Sequence, residues 1–491
     1  MVYAIIGLYA AFLVLTGVFI RRKVTGLNDF YLGGRNVGPW MSAFAYGTSY
    51  FSAVIFIGYA GSIGWRFGLA ATFVGIGNAL IGSYIAWKLC AKRTRSMTQR
   101  LGAATMPTFF EKRYNSKALK IAAAAIAFLF LTPYSASVFQ GISYLFEQTL
   151  GISYNYCMIG MAVIAGIYLI FGGYLATSIT DFIQGIVMLA GIVLVVVFVV
   201  SSQQVGGLAA GVSKLEAIDP SLVSLQGAQG IVPLLSLILL TSLGAWALPQ
   251  MVHKFYAIKD ERAIKRGTVI STVFALIVAG SAYFIGSWGR LFLNNQMPVN
   301  AATGAANADL IMPTMLQQVL PNVLMGIVLV MVLAASMTTL TSLVMATSSS
   351  VSIDIVKGAL APKMEEKKVM LIMRICCAIF LLISLIIAVG KFSAILTLMS
   401  FSWGTVSGSF IGPYIYGLRW KGTTKAGAWA GFITGFLVSI IGAIATGFQS
   451  ASAPMIGAGA MLASLAVTPL VSLVTPKLPE EHIKTIFLEK V

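Results

Sequence analysis

Thirteen long apolar runs dominate this sequence, at about 2–20, 39–62, 68–90, 118–145, 153–172, 179–201, 230–253, 265–289, 321–350, 368–390, 393–417, 424–446 and 453–474. A helix rises about 1.5 Å per residue, so about 20 apolar residues cross the hydrocarbon layer of a bilayer. These runs are too long for barrel strands. Lipid offers backbone amides and carbonyls no partner, so each run must close its hydrogen bonds within a helix. Such a chain folds as an all-α polytopic membrane protein of about thirteen transmembrane helices. The bulk composition agrees: only 10% of residues are charged, against about a quarter in a soluble domain. Short loops between the runs predict one membrane domain without a soluble module.

The net charge of +18 invites a nucleic-acid reading, which its distribution removes. With the N-terminus outside and the loops assigned alternately to the two faces, one face collects Arg21, Arg22, Lys23, Arg35, the stretches Lys88 to Lys120, Lys254 to Arg266, Lys357 to Arg374 and Arg419 to Lys425, and the C-terminal tail. Of the 33 basic residues, only Arg66, Lys214, Arg290 and Lys391 fall on the other face. Basic residues stay cytoplasmic during insertion, so the asymmetry predicts an inner-membrane protein with its N-terminus outside and its C-terminus inside. The charge records topology and is no nucleic-acid footprint. The first run has no basic residue before it and three after it, the reverse of a cleavable signal peptide, and is expected to be a retained helix. Cys90, Cys157, Cys376 and Cys377 lie in or beside apolar runs without metal or redox spacing and read as packing residues.

Two runs are interrupted in a similar way. The second carries Gly47-Thr48-Ser49-Tyr50-Phe51-Ser52 at mid-membrane depth, and the seventh carries Ser242-Leu243-Gly244-Ala245-Trp246-Ala247-Leu248-Pro249. Glycine and proline at such depth free backbone groups that must find partners inside the protein. Five runs follow from each interruption to the end of a block, and an odd number inverts the second block relative to the first. Inverted repeats that each begin with a broken helix form the architecture of one large class of secondary transporters. The expected organisation is a first helix and cytoplasmic loop (1–38), repeat one (39–201), an external loop (202–229), repeat two (230–417), then two peripheral helices and a cytoplasmic tail (418–491). The alternative is two ordinary glycine-containing membrane helices.

Ionisable groups in the membrane are scarce. His253 and His482 read as lying at a cytoplasmic helix end and in the tail, and of fifteen acids only Asp181 and Asp354 lie near apolar runs. A hydrolase or phosphotransferase needs a cluster of reactive groups, and none is visible, so an enzyme is not expected. A proton-driven pump keeps a titratable side chain deep in the bilayer, a role here open only to Asp181. Oxygen is plentiful instead. Ala335, Thr338, Thr339 and Ser342 fall at helical spacings on one face of the ninth run. A hard cation such as sodium prefers several oxygens, and hydroxyls facing the freed carbonyls of a broken helix would replace its water shell. Hydroxyls also pack membrane helices and bond back to their own carbonyls, and that reading stays open. Asp181, in Thr177-Ser178-Ile179-Thr180-Asp181-Phe182-Ile183-Gln184, is either a helix cap or an ion ligand.

At these residues the chain resembles the sodium:solute symporter family. Asp29-Phe30-Tyr31-Leu32-Gly33-Gly34-Arg35 is similar to the family's entry motif, and Gly47 to Gly61 to its broken first core helix. Phe171-Gly172-Gly173-Tyr174 with Thr180-Asp181 and Gln184 resembles the fifth-to-sixth helix segment. Ala335-x-x-Thr338-Thr339 and Ser352-Ile353-Asp354-Ile355 resemble the sodium helix and its exit, and Pro249 to Phe255 adds a weaker echo. The resemblance implies a five-plus-five inverted repeat with a LeuT-like core and Na+ as the coupling ion. It implies a main sodium site from the backbone oxygens of Thr48, Phe51 and Ala335 and the hydroxyls of Thr338 and Thr339. Asp181, Thr338, Thr341 and Ser342 match a second sodium site of some members. Ser52, Ile55, Tyr134, Gln140 and Trp246 match the solute cavity. Sugar-type members carry a glutamine where this chain has Ile55, and proline-type members an aspartate where it has Tyr50. The implied function is sodium-driven import of a small organic solute, an amino acid or monocarboxylate, by a carrier whose partners are that solute, sodium and lipid. The competing readings are a proton-coupled or uncoupled carrier of similar build and a transporter-like sensor.

Overall fold

The computed structural model describes residues 2–20, 26–300, 304–391 and 393–487; Arg21, Arg22 and Lys23 of the charge argument lie outside the described residues. The principal helices are α1 (Val2–Ile20), α2 (Pro39–Tyr50), α3 (Lys117–Leu150), α4 (Tyr154–Ser201), α5 (Ile231–Ala247), α6 (Pro249–Ala257), α7 (Glu261–Gly286), α8 (Asn322–Ser349), α9 (Glu366–Val389), α10 (Ile395–Arg419), α11 (Lys425–Ala445) and α12 (Ala453–Val474). Between α2 and α3 runs a 47-residue helical stretch, Val54–Arg100. Among the described residues, ten helices are long and apolar enough to cross a membrane, or eleven with α5 and α6 taken as one bent span. The expected count of thirteen differs from this at two places. Val54–Arg100 passes as one helix although Gly68 turns within it (φ +63), and the first part of α4, Tyr154–Ile167, is a shorter apolar helix.

Burial separates centre from rim. In α10 89% of the span is buried inside the protein and in Asn322–Leu360 83%, against 11% in α1. A helix that is apolar all round and carries hydroxyls belongs at the centre of a bundle. The rim helices instead expose Leu382, Ile386, Ile441 and Leu470 to lipid.

Both interruptions are real breaks. α2 starts on Pro39 and stops at Tyr50, where Phe51 turns extended (φ −114, ψ 103); helix resumes from Val54, whose amide donates to Ser52 Oγ at 3.2 Å. α5 ends at Ala247, Leu248 is also extended (ψ 125), and Pro249 opens α6 at a bend of 45°. Proline lacks an amide proton and fits the first helical position, so it starts a new half-helix where it would disrupt an old one. α4 changes course at Gly173 (φ 57, ψ −158), where an added Cβ would lie 2.7 Å from Phe30 O.

Glycines also let backbones touch. A Cβ at Gly286, at the end of α7, would sit 1.9 Å from Ala60 O, so the helix crossing is set by backbone contact. Gly286→Leu should therefore abolish the folded, monodisperse protein in detergent. Gly280→Leu, with nothing within 4 Å of its Cβ position, should leave the melting temperature near wild type. Size-exclusion profiles and thermal melts of the two variants check this.

Candidate functional site

The last turn of a helix leaves carbonyls without intrahelical donors. At the end of α2, Gly47 O accepts from Phe51 N at 3.1 Å, while Thr48 O and Ser49 O turn toward α8. Thr338 Oγ1 lies 2.9 Å from Thr48 O and 2.9 Å from Ala335 O. Thr339 Oγ1 lies 3.3 Å from Thr48 O and 3.4 Å from Ser49 O. All of these residues are buried. A hydroxyl carries one proton and two acceptor lone pairs, so Thr338 serves only one of its two carbonyls as donor and keeps a lone pair for another partner. Two oxygens each about 2.4 Å from a hard cation and about 90° apart stand about 3.4 Å from each other. The observed 2.9–3.4 Å separations are therefore on the scale of a cation's shell. The negative end of the α2 dipole points at the same place. Phe51 sits at the break itself with extended backbone.

Asp181 is where the sequence reading needs correction. Helix runs back from it to Gly173, so it lies two turns inside the second part of α4 and does not cap a helix start. The early glycine, and not the polar stretch after it, ends the preceding segment. Asp181 is fully buried, and its Oδ2 faces Lys254 Nζ at 3.8 Å. Lys254 Nζ donates to Ser342 Oγ at 3.1 Å, and Ser342 Oγ shares a 2.8 Å hydrogen bond with Ser49 Oγ. Sequence reasoning missed Lys254 by assigning it to a cytoplasmic helix end; the available signal was Pro249, which restarts a helix there, and the structure buries every residue of that helix. Thr341 spends its hydroxyl on its own helix, at 2.9 Å from Met337 O and 3.1 Å from Thr338 O.

Around the break lies a second group of polar side chains. α3 approaches it through Gly141, where a Cβ would lie 3.0 Å from that of Ala53. On α3, the Tyr134 hydroxyl, Ser135 Oγ and both amide atoms of Gln140 are buried and have no hydrogen bond among the described residues. Trp403 of α10 meets Tyr134 edge-on (centroids 5.7 Å, 90°), and its Nε1 likewise has no hydrogen bond among the described residues. Ser52 and Ile55 are buried at the break. Trp246 is committed elsewhere: its Nε1 donates to Ile81 O at 2.9 Å. Trp403 is the tryptophan that Tyr134 meets. Buried polar groups without partners cost about 1–3 kcal/mol each, so a cluster of them marks a place made for something polar.

Comparisons with known proteins identify the family and the fold. The model of the sodium:solute symporter family matches residues 30–435. A sodium/proline symporter of Staphylococcus aureus (strain JH9) is 31% identical over 451 residues, covering 89% of this chain and 85% of the relative. Among solved structures, a substrate-bound, outward-open Na+-coupled sialic acid symporter superposes with a TM-score of 0.74 at 16% identity, over 98% of this chain and 99% of that one. Mhp1, a nucleobase-cation-symport-1 family transporter in a closed conformation, gives 0.54 at 13% identity, over 93% and 97%. At such identities the structural likeness shows the fold, a LeuT-like transporter core. The family match and the relative carry the rest: this chain belongs to the sodium:solute symporter family and is a sodium-coupled symporter of the plasma membrane.

Proposed function

We propose that the chain imports a small zwitterionic or carboxylate-bearing solute, an amino acid first among them, and that its coupling sodium is held by Thr48 O, Phe51 O, Ala335 O and the hydroxyls of Thr338 and Thr339. The observation that carries this reading is the approach of the two threonine hydroxyls to the freed carbonyls of α2. The solute would sit beside the break, where Ser52, Ile55, Tyr134 and Gln140 are buried. The half-helix resuming at Val54 turns its positive end toward that place and suits a carboxylate without any arginine. The name of the Staphylococcus relative makes proline the first solute to try.

In this reading the repeats are residues 39–201 and 230–417, flanked by 1–38 and 418–491 and joined by an external loop at 202–229. The N-terminus faces outward and the C-terminus inward, as the basic residues require. Sodium favours one conformation, solute favours the same one, and that shared preference is the coupling.

The test is uptake of radiolabelled proline, alanine and lactate into vesicles holding the purified protein. An inward sodium gradient should drive accumulation of at least one of them, and a proton gradient alone should not. Accumulation driven by protons and indifferent to sodium would replace this reading with a proton-coupled carrier.

A further inference from the structure

We propose that the ammonium of Lys254 is a built-in cation that fills a second ion position in the bundle, so that this chain carries one sodium per solute. The inference rests on the reading of Thr338 and Thr339 as the sodium site.

The surroundings of Lys254 are those of an ion site. Its side chain is 1% exposed and that of Asp181 0%. Around the Nζ stand the Asp181 carboxylate on α4 at 3.8 Å, the Ser342 hydroxyl on α8 at 3.1 Å and, one hydrogen bond further at 2.8 Å, the Ser49 hydroxyl on α2. The Tyr174 ring lies 5.1 Å below it. A carboxylate with neutral oxygens from different helices is what a hard cation takes as ligands, and an aromatic face adds to the attraction for a positive charge. Neither oxygen of Asp181 accepts a hydrogen bond among the described residues. The pair is thus held by charge across a gap, with the carboxylate's lone pairs unused.

Charge balance decides how many cations fit. One carboxylate neutralises one cation, and sodium added beside the ammonium would leave a net positive charge buried among apolar helices. The ammonium is covalently attached and cannot leave with the solute, so the position contributes no ion to the cycle. It does contribute position. Lys254 is carried on α6, the half-helix after the second break, and its partners lie on α2, α4 and α8. Ser49 belongs to both clusters, its hydroxyl meeting Ser342 and its carbonyl facing Thr339. Ser49 thus links the neighbourhood of the proposed sodium site, through Ser342, to the tethered ammonium.

The test counts ions. Equilibrium dialysis of the purified protein with radioactive sodium should find one bound ion per wild-type chain, two in Lys254→Ala, and one in the doubly neutral Asp181→Asn/Lys254→Met variant. Sodium-to-solute stoichiometry from reversal potentials in vesicles should be one in the wild type. Two bound ions in the wild type, or one in both the wild type and a folded Lys254→Ala chain, overturn the proposal; if that variant does not fold, the wild-type count decides alone. No bound ion in the wild type with one in Lys254→Ala would keep this proposal and remove the threonine site instead. No bound ion in either would remove both.

Discussion

Replacing Thr338 with alanine should raise the sodium concentration for half-maximal uptake by about 10- to 100-fold and leave the protein in the membrane, folded. The Thr338 hydroxyl is the oxygen that bridges the two helices, at 2.9 Å from Thr48 O and from Ala335 O. Its loss removes one neutral ligand from an ion with no charged ligand in the proposed set. A contact with a charged group is worth about 1.5–3 kcal/mol, and each 1.4 kcal/mol is about a factor of ten in affinity. Thr338→Ser keeps the oxygen and should restore wild-type behaviour to within about threefold on the same scale. Thr341→Ala is the control three residues on. Among the described residues its hydroxyl bonds only to carbonyls of its own helix, so sodium dependence should hardly move. Sodium titrations of uptake at fixed solute distinguish these outcomes. A Thr338→Ala carrier with the wild-type half-saturation would move the ion away from this helix pair.

Much of the fold was legible because lipid leaves so few alternatives. The last apolar run, 453–474, coincides with α12, and the run at 230–253 spans all of α5 and the first half of α6. The break after Tyr50 was legible too, since a glycine followed by five polar or aromatic residues cannot hide at that depth in an ordinary span. The position of the fifth-to-sixth helix junction was not. Apolarity drops across 173–178, and a run defined by apolarity must stop there. The chain instead kinks at the single residue Gly173 and keeps its helix through the polar stretch. Those hydroxyls point into protein: Thr177 and Ser178 bond back to Tyr174 O at 2.8 and 2.9 Å.

Within the site, the spacing of Ala335, Thr338, Thr339 and Ser342 was enough to put them on one face, but it could not say which hydroxyls turn outward and which back. Thr341 turns back; Ser342 reaches across to Ser49. Lys254 shows the limit of charge counting. The positive-inside rule sums basic residues near helix ends and cannot tell one in a loop from one folded back beneath the bundle. Lys259, five residues after Lys254, is exposed, whereas Lys254 is enclosed.

Asp181→Asn should be among the most damaging single changes in the chain, and the damage should be reversed by a second one. The substitution leaves the Lys254 ammonium buried with hydroxyls and an aromatic face but no counter-charge. Removing one partner of a buried pair typically costs about 3–5 kcal/mol, mostly as the penalty for the charge left behind. A loss of that size should lower the melting temperature in detergent and abolish uptake. Adding Lys254→Met removes the stranded charge, and replacing a buried pair by apolar groups is often neutral or stabilising, so the double variant should melt close to wild type. Lys254→Met alone strands the carboxylate instead, and a carboxylate beside Ser342 and Ser49 has a remedy that an ammonium lacks: it can bind sodium. Its stability should therefore climb with sodium more steeply than that of the wild type, by about 2.7 kcal/mol for each such site at a sodium concentration a hundred times its dissociation constant. Thermal melts of the four chains across a sodium series, with choline holding ionic strength constant, contain all of these comparisons. Equal melting temperatures for wild type and Asp181→Asn, with parallel sodium dependence in all four, would mean that Lys254 and Asp181 do not stabilise each other and that the buried carboxylate is not where a cation sits.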